Sequence, residues 1–140
     1  MSILKIRLLG RVQVSHNDWL TEVRTTKIVQ GVLAYLLLQR HRTHSRDALT
    51  NLFWSEQNQQ KAYACLNTTL WRLRLVLEPR GIPPGAYLVS NQMGEVGFKQ
   101  ESNYWLDVAA LEEQIHQTLT VPYQSVESRE VEKLVVVKLK

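Results

Sequence analysis

The stretch from Gln60 to Leu77 combines regularly spaced apolar residues with amide, hydroxyl and cationic side chains. Its apolar positions recur every three or four residues, and they are Ala62, Leu66, Leu70, Leu73 and Leu77. This spacing predicts an α-helix with one buried face. The opposite face would then carry the polar and cationic groups, which belong to Lys61, Tyr63, Asn67, Thr68, Trp71, Arg72 and Arg74.

The chemistry of this polar face matches the groups that duplex DNA exposes. An asparagine amide can bond an adenine edge at two points, a threonine methyl can contact thymine, and an arginine can pair with guanine or bind phosphate. We therefore predict base readout by Tyr63, Asn67, Thr68 and Trp71. Contacts with phosphate groups are predicted for Arg46, Lys61, Arg72, Arg74, Asn91 and Lys99.

Some of these side chains keep a structural alternative. Trp71 could pack against a neighbouring hairpin, and Arg72 could pair with a nearby carboxylate. The basic stretch between residues 40 and 46 could bind phosphate or simply be solvated.

The charge of the chain is polarised along its length. The net charge is +4, but residues 1–80 hold 12 lysines and arginines against 5 acidic residues, and residues 81–140 hold 5 against 8. A basic half favours a polyanionic partner, because neutralised phosphates supply most of the non-specific affinity for nucleic acid.

Three short strands are predicted at the N-terminus. Apolar and basic residues alternate from Ile3 to Leu8, valines alternate with polar residues from Val12 to Val14, and Trp19 to Val23 offers a third segment. Alternation of period two is typical of half-buried strands. The three segments predict a small antiparallel meander.

Two helices are predicted ahead of the polar-faced one. The first starts at Lys27 with Thr25 or Thr26 as its N-cap and ends near residues 39–41. The second is capped by Ser45, has Asp47 in its first turn, and would bury Ala48, Leu49, Leu52 and Phe53. Trp54 is expected to fill the gap between helices.

The polar-faced helix should end at Glu78 and Pro79. Residues 86–90 and 95–99 then flank a polar tip and predict a β-hairpin. A fourth helix is predicted from Val108 to Leu119 with Asp107 as its cap, and residues 127–140 hold a further element of uncertain type.

Motifs for catalysis, metal binding and membrane insertion are weak or lacking. His41 and His44 are three residues apart but lie among cations, and the single cysteine, Cys65, excludes an internal disulfide. The longest apolar run, Val32 to Leu38, is far shorter than the roughly 20 residues that a membrane span needs. We expect a cytoplasmic, non-enzymatic protein without cofactor or metal.

The order of elements predicts the fold class. A meander, three helices and a hairpin indicate an α+β winged helix-turn-helix with an N-terminal antiparallel β-meander, a three-helix core and a C-terminal β-hairpin wing. The domains are predicted as residues 1–102 for the winged helix and residues 103–140 for a helical extension.

Residues 3–119 resemble the SARP/AfsR-type bacterial transcriptional activators. The resemblance rests on Leu8-Leu9-Gly10, Val12-Gln13-Val14, Leu36-Leu37-Leu38, Ser45-Arg46-Asp47-Ala48-Leu49, Leu52-Phe53-Trp54, Ala62, Leu66 and Leu70-Trp71-Arg72-Leu73-Arg74 with Leu77-Glu78-Pro79. It implies an OmpR-like winged helix that binds direct repeats at promoters and recruits RNA polymerase. A dimer bound to such repeats is one arrangement that the resemblance allows. Trp105 to Glu112 resembles the start of this family's bacterial transcriptional activator domain, so the chain is expected to be part of a longer regulator.

The sequence thus predicts a sequence-specific binder of double-stranded promoter DNA that activates transcription. The main alternative is a winged helix used for protein docking, in which Tyr63, Trp71 and Leu75 face a partner such as RNA polymerase. A metal-dependent hydrolase centred on His41 and His44 ranks last.

Overall fold

The computed structural model describes residues 3–16, 19–22 and 25–119. The predicted element at residues 127–140 and the predicted strand residue Val23 lie outside this range. The elements in chain order are β1 (Leu4–Arg7), β2 (Gln13–His16), β3 (Trp19–Glu22), α1 (Lys27–Leu38), α2 (Arg46–Phe53), α3 (Gln59–Leu77), β4 (Leu88–Ser90), β5 (Val96–Phe98), β6 (Tyr104–Leu106) and α4 (Asp107–Leu119).

The chain divides into two compact units, and the division differs from the predicted domains. One unit comprises Met1–Glu22 with Tyr104–Lys140, and the other comprises Val23–Asn103. The first unit joins both ends of the chain because β6 pairs with β1, a pairing that the sequence analysis did not anticipate.

The first unit is built on a four-stranded sheet with the order β3-β2-β1-β6. The predicted antiparallel meander is confirmed for β1, β2 and β3, and β6 adds a parallel edge strand to β1. Leu4 and Ile6 are buried, whereas Lys5 and Arg7 are exposed, as their alternation predicts. Helix α4 starts at Asp107, one residue before the predicted start, so that Asp107 is its first residue rather than its cap. The Asp107 carboxylate accepts the Leu8 and Leu9 N–H groups at 3.0 Å.

The second unit contains α1, α2, α3 and the β4–β5 hairpin. Thr26 caps α1 by accepting a hydrogen bond from the Val29 N–H, and Ser45 caps α2 by accepting one from the Ala48 N–H at 3.0 Å. Asn58 caps α3 through the Lys61 N–H at 2.8 Å. These oxygens satisfy N–H groups that have no partner within the helix, which fixes where each helix begins.

The buried side of α2 differs from the prediction. Leu49 is buried and Phe53 half-buried as expected, but Ala48 is exposed and Leu52 is 54% exposed. Thr50 is buried instead, because its hydroxyl donates a hydrogen bond to the Asp47 carbonyl at 3.0 Å and so needs no water.

Helix α3 follows the predicted pattern closely. The five apolar positions that predicted this helix are all buried, and so is Thr69. The helix spans 19 residues and ends with Glu78 as its C-cap. The buried stripe leaves the remaining side of α3 available to solvent.

The hairpin is joined to the loop before α2 by a short backbone bridge. The His44 N–H donates to the Val96 carbonyl and the Val96 N–H donates to the His44 carbonyl, both at 2.8 Å. Gly97 allows this approach, because a Cβ there would lie 3.1 Å from Thr43 Cγ2 and 3.5 Å from the Arg42 carbonyl oxygen. The hairpin is thereby held against the loop before α2 within the same unit.

Candidate nucleic-acid interface

The solvent side of α3 carries most of the predicted reading residues. Lys61, Asn67, Thr68 and Arg72 are exposed, and Trp71 is 61% exposed. Because these side chains share one helix, their relative positions are set by the backbone of α3 rather than by a loop. The structure therefore brings five of the ten predicted site residues onto one surface, which we call the α3 face.

Trp71 and Arg72 are the two side chains of this surface for which packing within the chain was the alternative to a ligand contact. Trp71 is 61% exposed, so most of its side chain is open to solvent. Within the described part of the chain, no carboxylate forms an ion pair with Arg72. Both side chains are accessible to a ligand.

Arg46 reaches the α3 face from the first turn of α2. Its guanidinium Nη1 donates a hydrogen bond to Asn67 Oδ1 at 2.6 Å. The side chain is half-buried, and its Nε lies 4.0 Å from where a Cβ on Gly94 would be, at the hairpin tip. A residue predicted to bind phosphate and one predicted to read a base therefore form a pair.

Tyr63 is partly withdrawn from the α3 face by a contact with α2. Its hydroxyl donates a hydrogen bond to Asp47 Oδ1, and the side chain is half-buried. This hydrogen bond to Asp47 is the main cause that raises the pKa of the Tyr63 phenol. The phenol can still accept a hydrogen bond, but its proton is already engaged.

Arg74 occupies a different place from the one predicted for a phosphate ligand. Its Nη1 donates to the Leu88 carbonyl at 2.8 Å and to Glu78 Oε1 at 3.0 Å. The guanidinium is thus bonded within the unit, where it joins the end of α3 to the start of β4. These bonds give Arg74 a structural role in the unit, and its contact with phosphate stays a prediction.

The hairpin places the other two predicted phosphate ligands apart from each other. Asn91 uses its side chain to close the tip, since Oδ1 accepts the N–H groups of Met93 and Glu95, both at 2.9 Å. Lys99 is exposed beyond the end of β5 and lines an open cavity of about 290 Å³ together with His41 and Arg42. Lys99 therefore offers an accessible cation, whereas the Asn91 side chain is engaged within the tip.

An apolar groove beside the α3 face was missed by the sequence analysis. A cavity of about 360 Å³ lies between the start of α1 and α3, and its lining includes Ile28, Lys61, Cys65 and Arg72. Leu75, 54% exposed, lines a neighbouring cavity with Trp71. By helical spacing Leu75 falls on the polar face, and the sequence had assigned it only to the docking alternative.

The two histidines considered for metal binding are separated by their environments. His44 is 4% exposed, its Nε2 contacts the Gln39 carbonyl at 3.3 Å, and its ring lies 5.0 Å from that of Tyr35. His41 is exposed, and its Nδ1 contacts Gln100 Nε2 at 2.9 Å. Among residues 3–16, 19–22 and 25–119, no three His, Cys, Asp or Glu side chains form a group that could hold a metal ion.

None of the helices in the described ranges has the length and apolar content that crossing a bilayer requires.

Neither protein-family models nor curated protein sequences match the chain. Among solved structures, it is similar to Mycobacterium tuberculosis EmbR in complex with a low affinity phosphopeptide, with 25% sequence identity and a TM-score of 0.61. The similarity covers 84% of this chain and 31% of that chain, so the chain spans about a third of its length. This similarity supports a SARP-like winged-helix fold for the α+β architecture described above.

Proposed function

We propose that the chain is the DNA-binding part of a bacterial transcriptional activator that recognises double-stranded promoter DNA by sequence. Helix α3 enters the major groove, and the β4–β5 hairpin serves as the wing that contacts the flanking backbone. The protein acts by binding and carries out no reaction.

The α3 face is the observation that carries this proposal. It presents an amide, a hydroxyl, an indole and two cations on one side of a helix whose other side is buried. A 19-residue helix is about 28 Å long, and the major groove, about 12 Å wide, admits such a helix. Amide and hydroxyl groups suit base edges, whereas Lys61 and Arg72 suit phosphates.

The charge of the second unit agrees with a polyanionic ligand. Residues 25–103 contain nine lysines and arginines against five aspartates and glutamates, a net charge of +4. Lys61, Arg72 and Lys99 are exposed. Each cation that neutralises a phosphate releases counterions, which makes binding strongly dependent on salt.

The test is a salt titration of DNA binding. Duplexes bound by the full chain are first selected from a random pool, and their affinity is then measured by fluorescence anisotropy between about 50 and 200 mM salt. We expect a steep linear decrease of log K with log salt concentration. The single variants Lys61→Ala and Arg72→Ala should each reduce that slope by about one and weaken binding to all sequences alike.

Arg80→Ala provides the matched control. Arg80 is exposed and lies beyond the C-terminal end of α3, so this variant loses the same charge away from the α3 face. Unchanged affinity in both Lys61→Ala and Arg72→Ala would refute the assignment of the face. Absence of binding to any duplex at low salt would refute the function.

Protein docking is the second candidate function, and the exposure of Trp71 and Leu75 favours it. An aromatic and an aliphatic side chain side by side on a surface are typical of protein interfaces. Under this alternative, α3 would contact a partner such as RNA polymerase instead of DNA. Substitution of either residue would then abolish the protein complex and leave DNA affinity unchanged.

The family resemblance supports further parts of the proposal. Binding to direct repeats as a dimer, recruitment of RNA polymerase and a cytoplasmic location follow from it. Helix α4 would begin the second domain of a longer regulator. Selected duplexes that contain two half-sites in the same orientation would support the dimeric arrangement.

A further inference from the structure

We infer that Arg46 and Asn67 act as one donor-only unit that reads guanine, rather than adenine, at a single base pair of the major groove. The inference rests on the proposed function and names the base that this part of the α3 face selects. An unpaired asparagine would instead favour adenine.

The orientation of the Asn67 amide follows from the chemistry of its partner. A guanidinium has five N–H donors and no acceptor, so the amide must turn its oxygen toward Arg46. The Nη1 to Oδ1 distance of 2.6 Å places the cationic guanidinium in hydrogen-bond contact with the amide oxygen. The amide nitrogen Nδ2 is left without a partner in the described part of the chain, on an exposed residue.

This pairing removes the complement that adenine requires. Bidentate readout of adenine needs Oδ1 to accept from the N6 amino group while Nδ2 donates to N7. Arg46 already occupies one of the two lone pairs of Oδ1, and its positive charge disfavours a second donor at the same oxygen. The N4 amino group of cytosine is disfavoured for the same reason.

Guanine offers the matching edge. Its N7 and O6 are both acceptors in the major groove. Asn67 Nδ2 supplies donors, and Arg46 keeps four N–H donors after the bond to Asn67. The two side chains come from neighbouring helices, α2 and α3, so the reading unit is positioned by both rather than by α3 alone.

The position of Arg46 fits it for this task. The side chain is half-buried near the hairpin tip, so fewer rotamers are open to it than to a fully exposed arginine. A restrained donor loses less conformational entropy on binding than a mobile one. The pair is therefore partly preorganised for an acceptor-rich edge.

The test compares base preferences of the full chain and its variants. Duplexes are selected from a random pool with wild type, Asn67→Ala and Arg46→Ala, and the base pair whose preference Asn67→Ala abolishes is taken as the reading position. We expect guanine there in wild type, with adenine at least about tenfold weaker. Arg46→Ala should relax the same base pair and gain tolerance for adenine, because Oδ1 becomes free.

Modified bases at the reading position isolate the atoms involved. 7-Deazaguanine, which lacks the N7 acceptor, should weaken binding about fivefold or more. Inosine keeps N7 and O6 and loses only the minor-groove amino group, so it should bind as guanine does. Equal affinity for guanine and 7-deazaguanine would overturn the inference.

Two further variants keep the test decisive. Arg46→Lys keeps a cation beside Oδ1 but loses the guanidinium donors, so it should still reject adenine while favouring guanine less. This variant tests the inference even if Arg46→Ala does not fold. Arg80→Ala, the same loss of charge elsewhere, should keep the guanine preference.

The outcomes distinguish failure of this inference from failure of the proposed function. Strong, salt-dependent binding with adenine or cytosine at the reading position would overturn the inference alone. The same holds if Arg46→Ala and Asn67→Ala relax different base pairs. Failure to bind any duplex at low salt would refute the proposed function, and the inference with it.

Discussion

Glu78 Oε2 accepts a hydrogen bond from the Leu88 backbone N–H at 2.9 Å, which ties the end of α3 to the first residue of β4. The same carboxylate accepts the N–H groups of Tyr87 at 2.8 Å and Gly85 at 3.0 Å, and it pairs with Arg74. Its side chain is only 2% exposed. One buried carboxylate thus organises the connection between the proposed reading helix and the hairpin.

The first prediction concerns the stability that Glu78 supplies. Glu78→Ala leaves three backbone N–H groups without their acceptor, which should lower the free energy of unfolding by about 3 kcal/mol. Urea denaturation followed by circular dichroism measures the loss. Glu56→Ala, a change at an exposed carboxylate between α2 and α3, should alter stability by less than about 0.5 kcal/mol. Equal effects of the two substitutions would contradict the role of Glu78.

The second prediction concerns the pH range in which Glu78 stabilises the folded protein. Burial on its own raises the pKa of this carboxyl, but the hydrogen bonds from Leu88, Tyr87, Gly85 and Arg74 outweigh burial, and the pKa is lowered. A lowered folded-state pKa means that the stabilisation is complete above the unfolded value of about 4.3 and is lost as pH falls through the folded value. The stability difference between wild type and Glu78→Gln should therefore be constant from pH 5 to pH 7 and shrink below about pH 4. A stability difference between the two proteins that grows as the pH falls would contradict this prediction, because it would mean that the pKa of Glu78 is raised in the folded state.

Much of the second unit could be predicted from the sequence because its signals are local. The buried stripe of α3 is set by helical periodicity, and the caps Thr26 and Ser45 act on N–H groups three residues away. The hairpin was recognisable from the polar tip between two apolar segments. These features need no knowledge of distant parts of the chain.

Other features depend on contacts that a linear pattern does not encode. Arg74 looks like a surface cation of α3, but its carbonyl partner on Leu88 is 14 residues away and only the hairpin brings it near. Arg46 and Asn67 are 21 residues apart, so their pairing required the packing of α2 on α3. Strand β6 was hidden because it is three residues long and pairs with β1 from the other end of the chain.

A third prediction follows from the buried histidine beside the hairpin. Burial lowers the pKa of His44 and the nearby Arg42 acts in the same direction, while the Gln39 carbonyl and Glu95 oppose them. Below about pH 6.5 the unfolded chain binds a proton at this residue that the folded chain excludes, so folding stability should decrease as pH falls from 7 toward 5. His44→Gln should flatten this part of the stability curve.

His41→Gln is the control for that measurement, because it replaces an exposed histidine three residues away. Urea midpoints at half-unit pH steps would show the difference. An identical pH dependence in wild type and His44→Gln would assign the acid sensitivity to another group.

The fourth prediction compares two glycines of the second unit. A Cβ on Gly97 would lie 3.1 Å from Thr43 Cγ2 and 3.4 Å from Thr43 Cα, so Gly97→Val should cost about 1–3 kcal/mol by separating β5 from the loop before α2. A Cβ on Gly31 would lie 3.6 Å from Phe53 Cε1, an ordinary contact, so Gly31→Ala should stabilise α1 by about 0.5–1 kcal/mol. Thermal unfolding of both variants is the measurement. A Gly97→Val protein as stable as wild type would mean that this approach is not tight.

The last prediction uses Trp71 to separate the two candidate functions. Because this side chain is 61% exposed, Trp71→Ala should change the free energy of unfolding by less than about 0.5 kcal/mol. A loss above about 1.5 kcal/mol would show instead that the indole packs on its own chain. If the stability is unchanged, weaker binding of Trp71→Ala to the selected duplex places the indole at the DNA. Unchanged DNA affinity together with loss of binding to purified RNA polymerase places it at a protein interface. Leu75→Ala, one turn further along α3, is the companion variant: it should reduce polymerase binding under the docking alternative and affect DNA binding less than Trp71→Ala under the proposed function.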